Sequence, residues 1–133
     1  MEGNTATTYI TITRTYQTDH LFIRVSSSDD YTNGSGYWIT NNPVDLTGIS
    51  KIYFDFETSL ASTGSDYTFI STSSTKTGTT NANKNIFNTT QVGTRTTDYL
   101  DVSSISGQNY IRFGVKVIGM DYAQSKLYRV WME

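Results

Sequence analysis

Cysteine is absent from this chain of 133 residues, and histidine occurs once, as His20. Without thiols there is no disulfide, no cysteine nucleophile and no Cys-ligated zinc or iron–sulfur centre. A lone histidine excludes a multi-histidine metal site. Ser-His-Asp catalysis would have to run through His20, and no G-x-S-x-G elbow accompanies it. Proline is nearly absent as well. Pro43, in Asn41-Asn42-Pro43, is the only one, and it interrupts the chain because it lacks an N–H and restricts its predecessor. Charge is sparse and mixed, with 10 Lys and Arg against 12 Asp and Glu for a net −2. No basic patch is left to grip a phosphate backbone, so no nucleic-acid partner is expected. No apolar run approaches the ~20 residues that span a bilayer, and MEGNTATTY carries no signal-peptide pattern. Neither a membrane nor a cofactor is expected.

The residues present in quantity are 23 Thr, 15 Ser, 9 Asn and 10 Tyr. Thr and Tyr fit pleated strands, whereas clusters of Gly, Asn and Ser mark turns. No stretch sustains a 3.6-residue apolar period, and several alternate with period two. Thr8 to Thr13 places Ile10 and Ile12 on one face. Leu21, Ile23 and Val25 repeat the pattern, with Phe22 and Arg24 opposite. Tyr37-Trp38-Ile39 follows a Gly-rich loop, Asn33-Gly34-Ser35-Gly36. In Lys51 to Glu57, Ile52, Phe54 and Phe56 point one way while Tyr53, Asp55 and Glu57 point the other. Tyr67 to Ser71 and Arg95 to Val102 read as further strands, and Ile86-Phe87 as an edge segment. In Asn109 to Val117, Ile111, Phe113, Val115 and Val117 alternate with Tyr110, Arg112 and Lys116, and Lys126 to Met132 closes the chain. Ser71 to Asn85 is expected to be a long, mobile polar loop. About eight or nine short strands in one domain spanning residues 1–133 predict an all-β fold. Its expected form is a two-sheet antiparallel β-sandwich, jelly-roll-like.

Little here suggests catalysis. Asp29, Asp30, Asp55, Glu57, Asp66 and Asp101 supply carboxylates, but glycoside hydrolysis needs two of them about 5–9 Å apart across a cleft. No cleft is signalled, and the chain is expected not to be an enzyme. Asp29-Asp30 lacks the spacing of a calcium loop and reads as a turn pair, so no metal is expected. Asn33-Gly34-Ser35 and Asn88-Thr89-Thr90 match the glycosylation acceptor pattern and are attributed to chance without a secretory signal.

The aromatic content carries the functional signal. Six Phe and the aliphatic residues suffice for much of a core, which leaves ten Tyr and two Trp as an amphipathic surplus. Sugars offer C–H faces to such rings and hydroxyls to polar neighbours. Tyr53 with Asp55, and Tyr110 with Arg112, alternate outward from strands with apolar inner faces, and Tyr37 and Trp38 follow the Gly-rich loop. These six residues form the candidate carbohydrate site, provided that their strands share a sheet. Trp131 is assigned to the core or to an interface.

The segments NNPVDLTGISKIYFDFE, LDVSSISGQNYIRFGVKV and KLYRVWME resemble modules in tail and baseplate proteins of phages and prophages of Gram-positive bacteria. There an xDLTxxSKLYxDFE strand follows an Asn-Pro break, and LDVSSxSGxxYIR precedes a closing YRVWLE. The match covers Val44 to Glu57 and Leu100 to Glu133, 48 of 133 residues. The resemblance implies a non-catalytic accessory module, part of a longer tail protein, located on the virion and acting at the host cell surface. Its implied partners are host cell-wall or capsular polysaccharide and other virion proteins, with a homo-oligomer also in view. The alternative is a purely structural spacer, oligomerisation or assembly domain using the same aromatics.

Overall fold

The computed structural model describes residues 2–3, 9–62, 65–87 and 93–133. The Asn88-Thr89-Thr90 acceptor and Thr8 lie outside them. Among the described residues every regular element is a strand: β1 (Glu2–Gly3), β2 (Ile10–Tyr16), β3 (Leu21–Ser27), β4 (Gly34–Ile39), β5 (Val44–Asp45), β6 (Lys51–Leu60), β7 (Tyr67–Ser73), β8 (Thr80–Ile86), β9 (Thr96–Asp101), β10 (Gln108–Val117) and β11 (Tyr122–Met132). No helix among them is long and apolar enough to cross a membrane.

The strands form two antiparallel sheets packed as a sandwich. The first runs β1-β4-β10-β7-β8, with β5 also pairing β10, and the second runs β2-β3-β11-β6-β9. Period-two alternation turns Ile52, Phe54 and Phe56 of β6 toward Ile111, Phe113 and Val115 of β10, and all six are buried as the sequence predicts. Phe113 stacks on Phe54, with centroids 6.2 Å apart, and meets Phe56 at 5.8 Å. A polar link also joins the sheets. The buried hydroxyls of Thr58, Thr68 and Ser125 form a triangle with sides of 2.7, 2.7 and 3.0 Å, each group satisfying its neighbours.

The segment read as a long polar loop is the main departure from the sequence expectation. Only the connection over residues 74–79 separates β7 from β8, and Thr80–Ile86 pairs along β7 as an edge strand. Its period is two, but its outward residues are asparagines and its inward ones are Ala82, Lys84 and Ile86, so it lacks the apolar alternation that marks a buried strand. Pairing with β7 supplies what propensity does not.

The motif-bearing segments meet at one end of the sandwich, where β5 pairs β10 and Lys51 pairs Asp101. The Asp45 carboxylate accepts the Thr47 N–H at 3.0 Å, and Asp101 accepts the N–H and hydroxyl of Ser103 at 2.9 and 2.7 Å. These bonds hold both carboxyls below the usual carboxylate range. Thr47 Oγ1 then accepts the Gly107 N–H at 3.0 Å, where Gly107 takes a positive φ of 76°. The D-L-T and S-G residues are therefore turn fasteners.

Candidate functional site

The six residues singled out from the sequence do not meet on one surface. Tyr53 and Asp55 project from β6 on the outer face of the second sheet, whereas Tyr110 and Arg112 project from β10 on the outer face of the first. Alternation reveals which side of its own strand a residue occupies but not which sheet that strand joins. The expectation of a shared face is corrected accordingly. Trp38 is corrected too. It turns inward from β4, is 3% exposed, donates its indole N–H to the Phe22 carbonyl at 3.2 Å and packs 4.8 Å from the Tyr16 ring. Its neighbour Tyr37 takes the outward position.

Arg112 and Asp55 are both engaged by the protein itself. Arg112, 7% exposed, donates to the carbonyls of Thr75, Lys76 and Gly78 at 3.3, 2.7 and 3.2 Å, clasping the 74–79 connection onto the sheet. Asp55 receives a fork from Arg95 at 2.8–3.1 Å. That pairing raises the arginine pKa further.

On the second sheet, Trp131, Tyr53 and Tyr99 occupy one register across β11, β6 and β9. Tyr53 lies parallel to Trp131 at 5.2 Å and tilted to Tyr99 at 5.8 Å. The Arg129 guanidinium lies over the Trp131 ring at 4.6 Å, while the Lys51 and Lys84 ammonium groups lie 4.5 and 5.0 Å from the Tyr99 centroid. Trp131 thus lies outside the core, which removes the first of the two sequence assignments, core or interface. The three rings are engaged with one another and with the flanking cations.

The first sheet presents a different surface. An open cleft of about 320 Å³ is lined by Ser35 of β4, Lys116 of β10, Tyr67 and Phe69 of β7, and Thr80, Asn83 and Asn85 of β8. Gly114 makes room for it. A side chain there would strike the Gly36 carbonyl and lie 2.6 Å from Phe69. Its absence lets Phe69 and Tyr37 meet edge to face across the strand at 6.5 Å. Asn83 donates its amide to Asn85 Oδ1 at 2.9 Å, leaving the Asn85 NH₂ and the Asn83 carbonyl available. The cleft therefore combines hydroxyls, amides, one ammonium and two rings, without a carboxylate. Sequence reasoning missed Tyr67, Phe69, Asn83 and Asn85. The spacing of Asn81, Asn83 and Asn85 was the available signal, obscured by the reading of that segment as a loop.

Titratable groups elsewhere are engaged with near neighbours. His20 Nδ1 lies 2.7 Å from Asp19, and among the described residues no group of three His, Cys, Asp or Glu is placed to hold a metal ion. Asp29 closes a turn, its carbonyl accepting the Thr32 N–H at 3.2 Å and its carboxylate the Thr32 hydroxyl. Asp66 is wholly buried. Burial, together with the adjacent Asp121 carboxyl, pushes its pKa up to about 6 against the downward pull of the Ile118 and Ser62 N–H groups.

No protein-family model and no curated protein matches the chain. Among solved structures it is similar to the family 11 carbohydrate-binding module of the cellulosomal cellulase Lic26A-Cel5E of Clostridium thermocellum. Identity is 12%, with 89% of this chain and 80% of the other covered and a TM-score of 0.49. A second is the family 11 module from Clostridium thermocellum in complex with a β-1,3-1,4-mixed-linked tetrasaccharide, at 13% identity, 89% and 81% coverage and a TM-score of 0.48.

Proposed function

We propose that the domain is a non-catalytic carbohydrate-binding module whose ligand lies along the outer face of the first sheet. The observation that carries this reading is the open cleft between Lys116 and the Asn83–Asn85 pair. Hydroxyl-rich ligands need many neutral donors and acceptors beside a ring edge or face, and this surface supplies both without a catalytic carboxylate. Tyr37, edge to face with Phe69, adjoins it on the same sheet, whereas Tyr110 pairs opposite Ser73 toward the other end of β10 and lies apart from it. Tyr53 and Asp55 belong to the opposite face and have no part in it.

The biological setting is proposed from the sequence resemblance over Val44 to Glu57 and Leu100 to Glu133. The module is an accessory part of a phage tail or baseplate protein, displayed on the virion, and grips a host cell-wall or capsular polysaccharide. Open clefts bind single chains weakly, and repetition around a tail raises avidity by about 10²–10⁴ without any new contact.

Binding of the domain to purified cell-wall and capsular polysaccharides, measured by glycan array and by titration, tests the reading. Tyr67→Ala and Asn85→Ala are each expected to weaken binding about tenfold, or ~1.4 kcal/mol, with little change in melting temperature. Wild-type affinity in both variants would remove the cleft from consideration. Failure of the unaltered domain to bind any glycan would favour the spacer or assembly role.

A further inference from the structure

On the other sheet, β3 ends before β11 does. β3 pairs β11 only from Tyr122 to Leu127, so the last residues of β11 run on beside the 17–20 connection. At that point a bulge inserts Tyr128 between Leu127 and Arg129. Bulges re-aim side chains and concentrate beside functional sites. Here the result is a cavity of about 350 Å³, with an apolar floor of Leu21, Leu127 and Val130 and a polar rim that includes Asp19, His20 and Arg129.

The rim is held from behind. Tyr128 stands between the Arg95 guanidinium, 3.9 Å from its ring centroid, and the His20 ring at 5.4 Å, and its hydroxyl reaches Glu57 at 3.4 Å. Arg95 is itself forked onto Asp55. The His20 side chain is 16% exposed, with Nδ1 fixed by Asp19, and its Nε2 has no hydrogen-bond partner among the described residues. Such a braced constellation is pre-organised, which lowers the entropic cost of binding.

The charges around the cavity are unequally committed. Asp55 is paired with Arg95, Asp19 with His20, and Glu57 accepts from Tyr128. Arg129 has no carboxylate partner among the described residues and rests only on the Trp131 ring. The open cation at the rim is therefore a guanidinium, whose fork matches a carboxylate. An apolar floor, a hydroxyl-accepting Asp19 and an open Arg129 together describe a ring-sized ligand with hydroxyls and one carboxylate.

We infer that this cavity is a second binding site, separate from the cleft on the first sheet, and that it takes the uronic-acid end group of a glycan. The ring lies over Leu21 and Val130, its hydroxyls meet Asp19 and the His20 Nε2, and its carboxylate meets Arg129. Two sites on opposite faces would let one domain hold a chain end and a chain interior together.

His20, the single histidine of the chain, provides a specific reporter through its imidazole proton NMR signals. The domain is titrated at constant pH with sodium glucuronate, with glucose as the neutral ring and sodium acetate as the free carboxylate. The expected result is a saturable His20 shift with glucuronate, in the millimolar range, and much weaker responses to the other two. Arg129→Ala should weaken the glucuronate response about tenfold or more through loss of a charge-assisted bond, with an unchanged melting temperature, and Arg129→Lys should recover part of it. Asn85→Ala, in the other face, should leave it intact. An equal response to glucose or acetate would overturn the assigned ligand class. No His20 response to glucuronate, or wild-type binding by Arg129→Ala, would overturn the site.

Discussion

Phe54→Ala is expected to lower the free energy of unfolding by about 3–5 kcal/mol. Phe54 is fully buried, lies between the sheets and stacks on Phe113, so truncation removes one ring and the contact it makes with the facing sheet. The strands on either side are fixed by their ladders and cannot collapse into the void, which places the cost toward the upper end of that range. Tyr53→Ala, one residue away and facing out, should cost far less. Its loss is chiefly the cross-strand stack on Trp131, about 0.5–1.5 kcal/mol beyond the area it covers. Urea unfolding of the two variants measures the contrast directly. A midpoint for Phe54→Ala close to that of the unaltered domain, with the same slope, would contradict the assignment of this residue to the core.

Raising the pH should destabilise the domain through one carboxyl. Asp66 is buried beside the turn between β10 and β11. Its Oδ1 accepts the Ile118 N–H at 2.9 Å, its Oδ2 accepts the Ser62 N–H at 3.3 Å, and the Asp121 carboxyl lies beside it. Its pKa of about 6 in the folded state exceeds the unfolded value of 3.8. The folded state thus holds the proton more tightly. The stability this contributes is fully present below the unfolded pKa, declines as the pH rises, and is lost once the pH passes about 6. The loss is of the order of 2–3 kcal/mol, since each tenfold change in proton affinity is worth about 1.4 kcal/mol. Asp66→Asn keeps an acceptor for Ile118 and can donate to Asp121 without ionising. Melting temperatures between pH 4 and 8 should therefore fall for the unaltered domain and stay nearly level for Asp66→Asn. Parallel curves for the two proteins would show that Asp66 is not the group responsible.

Much of the architecture was legible from residue order because alternation is a local property. The inward faces of β6 and β10 follow from Ile52, Phe54, Phe56, Ile111, Phe113 and Val115 alone. The turn residues around Asp45 and Asp101 stand out in the same way, since their bonds reach only two residues along the chain. The edge strand β8 was not legible. Its outward residues are asparagines, and only pairing with Phe69, Ser71 and Thr72 makes it a strand.

The candidate site shows the same division. Composition alone set the chemical character of the domain: no thiol, one histidine, scattered charge and a surplus of tyrosine. Period two determined that Tyr53, Tyr110 and Arg112 turn away from the core. Tertiary structure decided the rest, because the side of a strand is encoded over two residues whereas the neighbours of a strand are chosen across the whole chain. Sheet membership placed Tyr53 and Tyr110 on opposite surfaces. The carbonyls of Thr75, Lys76 and Gly78 made Arg112 a clasp, and the Phe22 carbonyl drew Trp38 inward. Pairing of β7 with β8 put Asn85 beside Phe69, and a single inserted residue in β11 opened the cavity at His20. Each of these depends on contacts between segments far apart in sequence, and no local pattern encodes them.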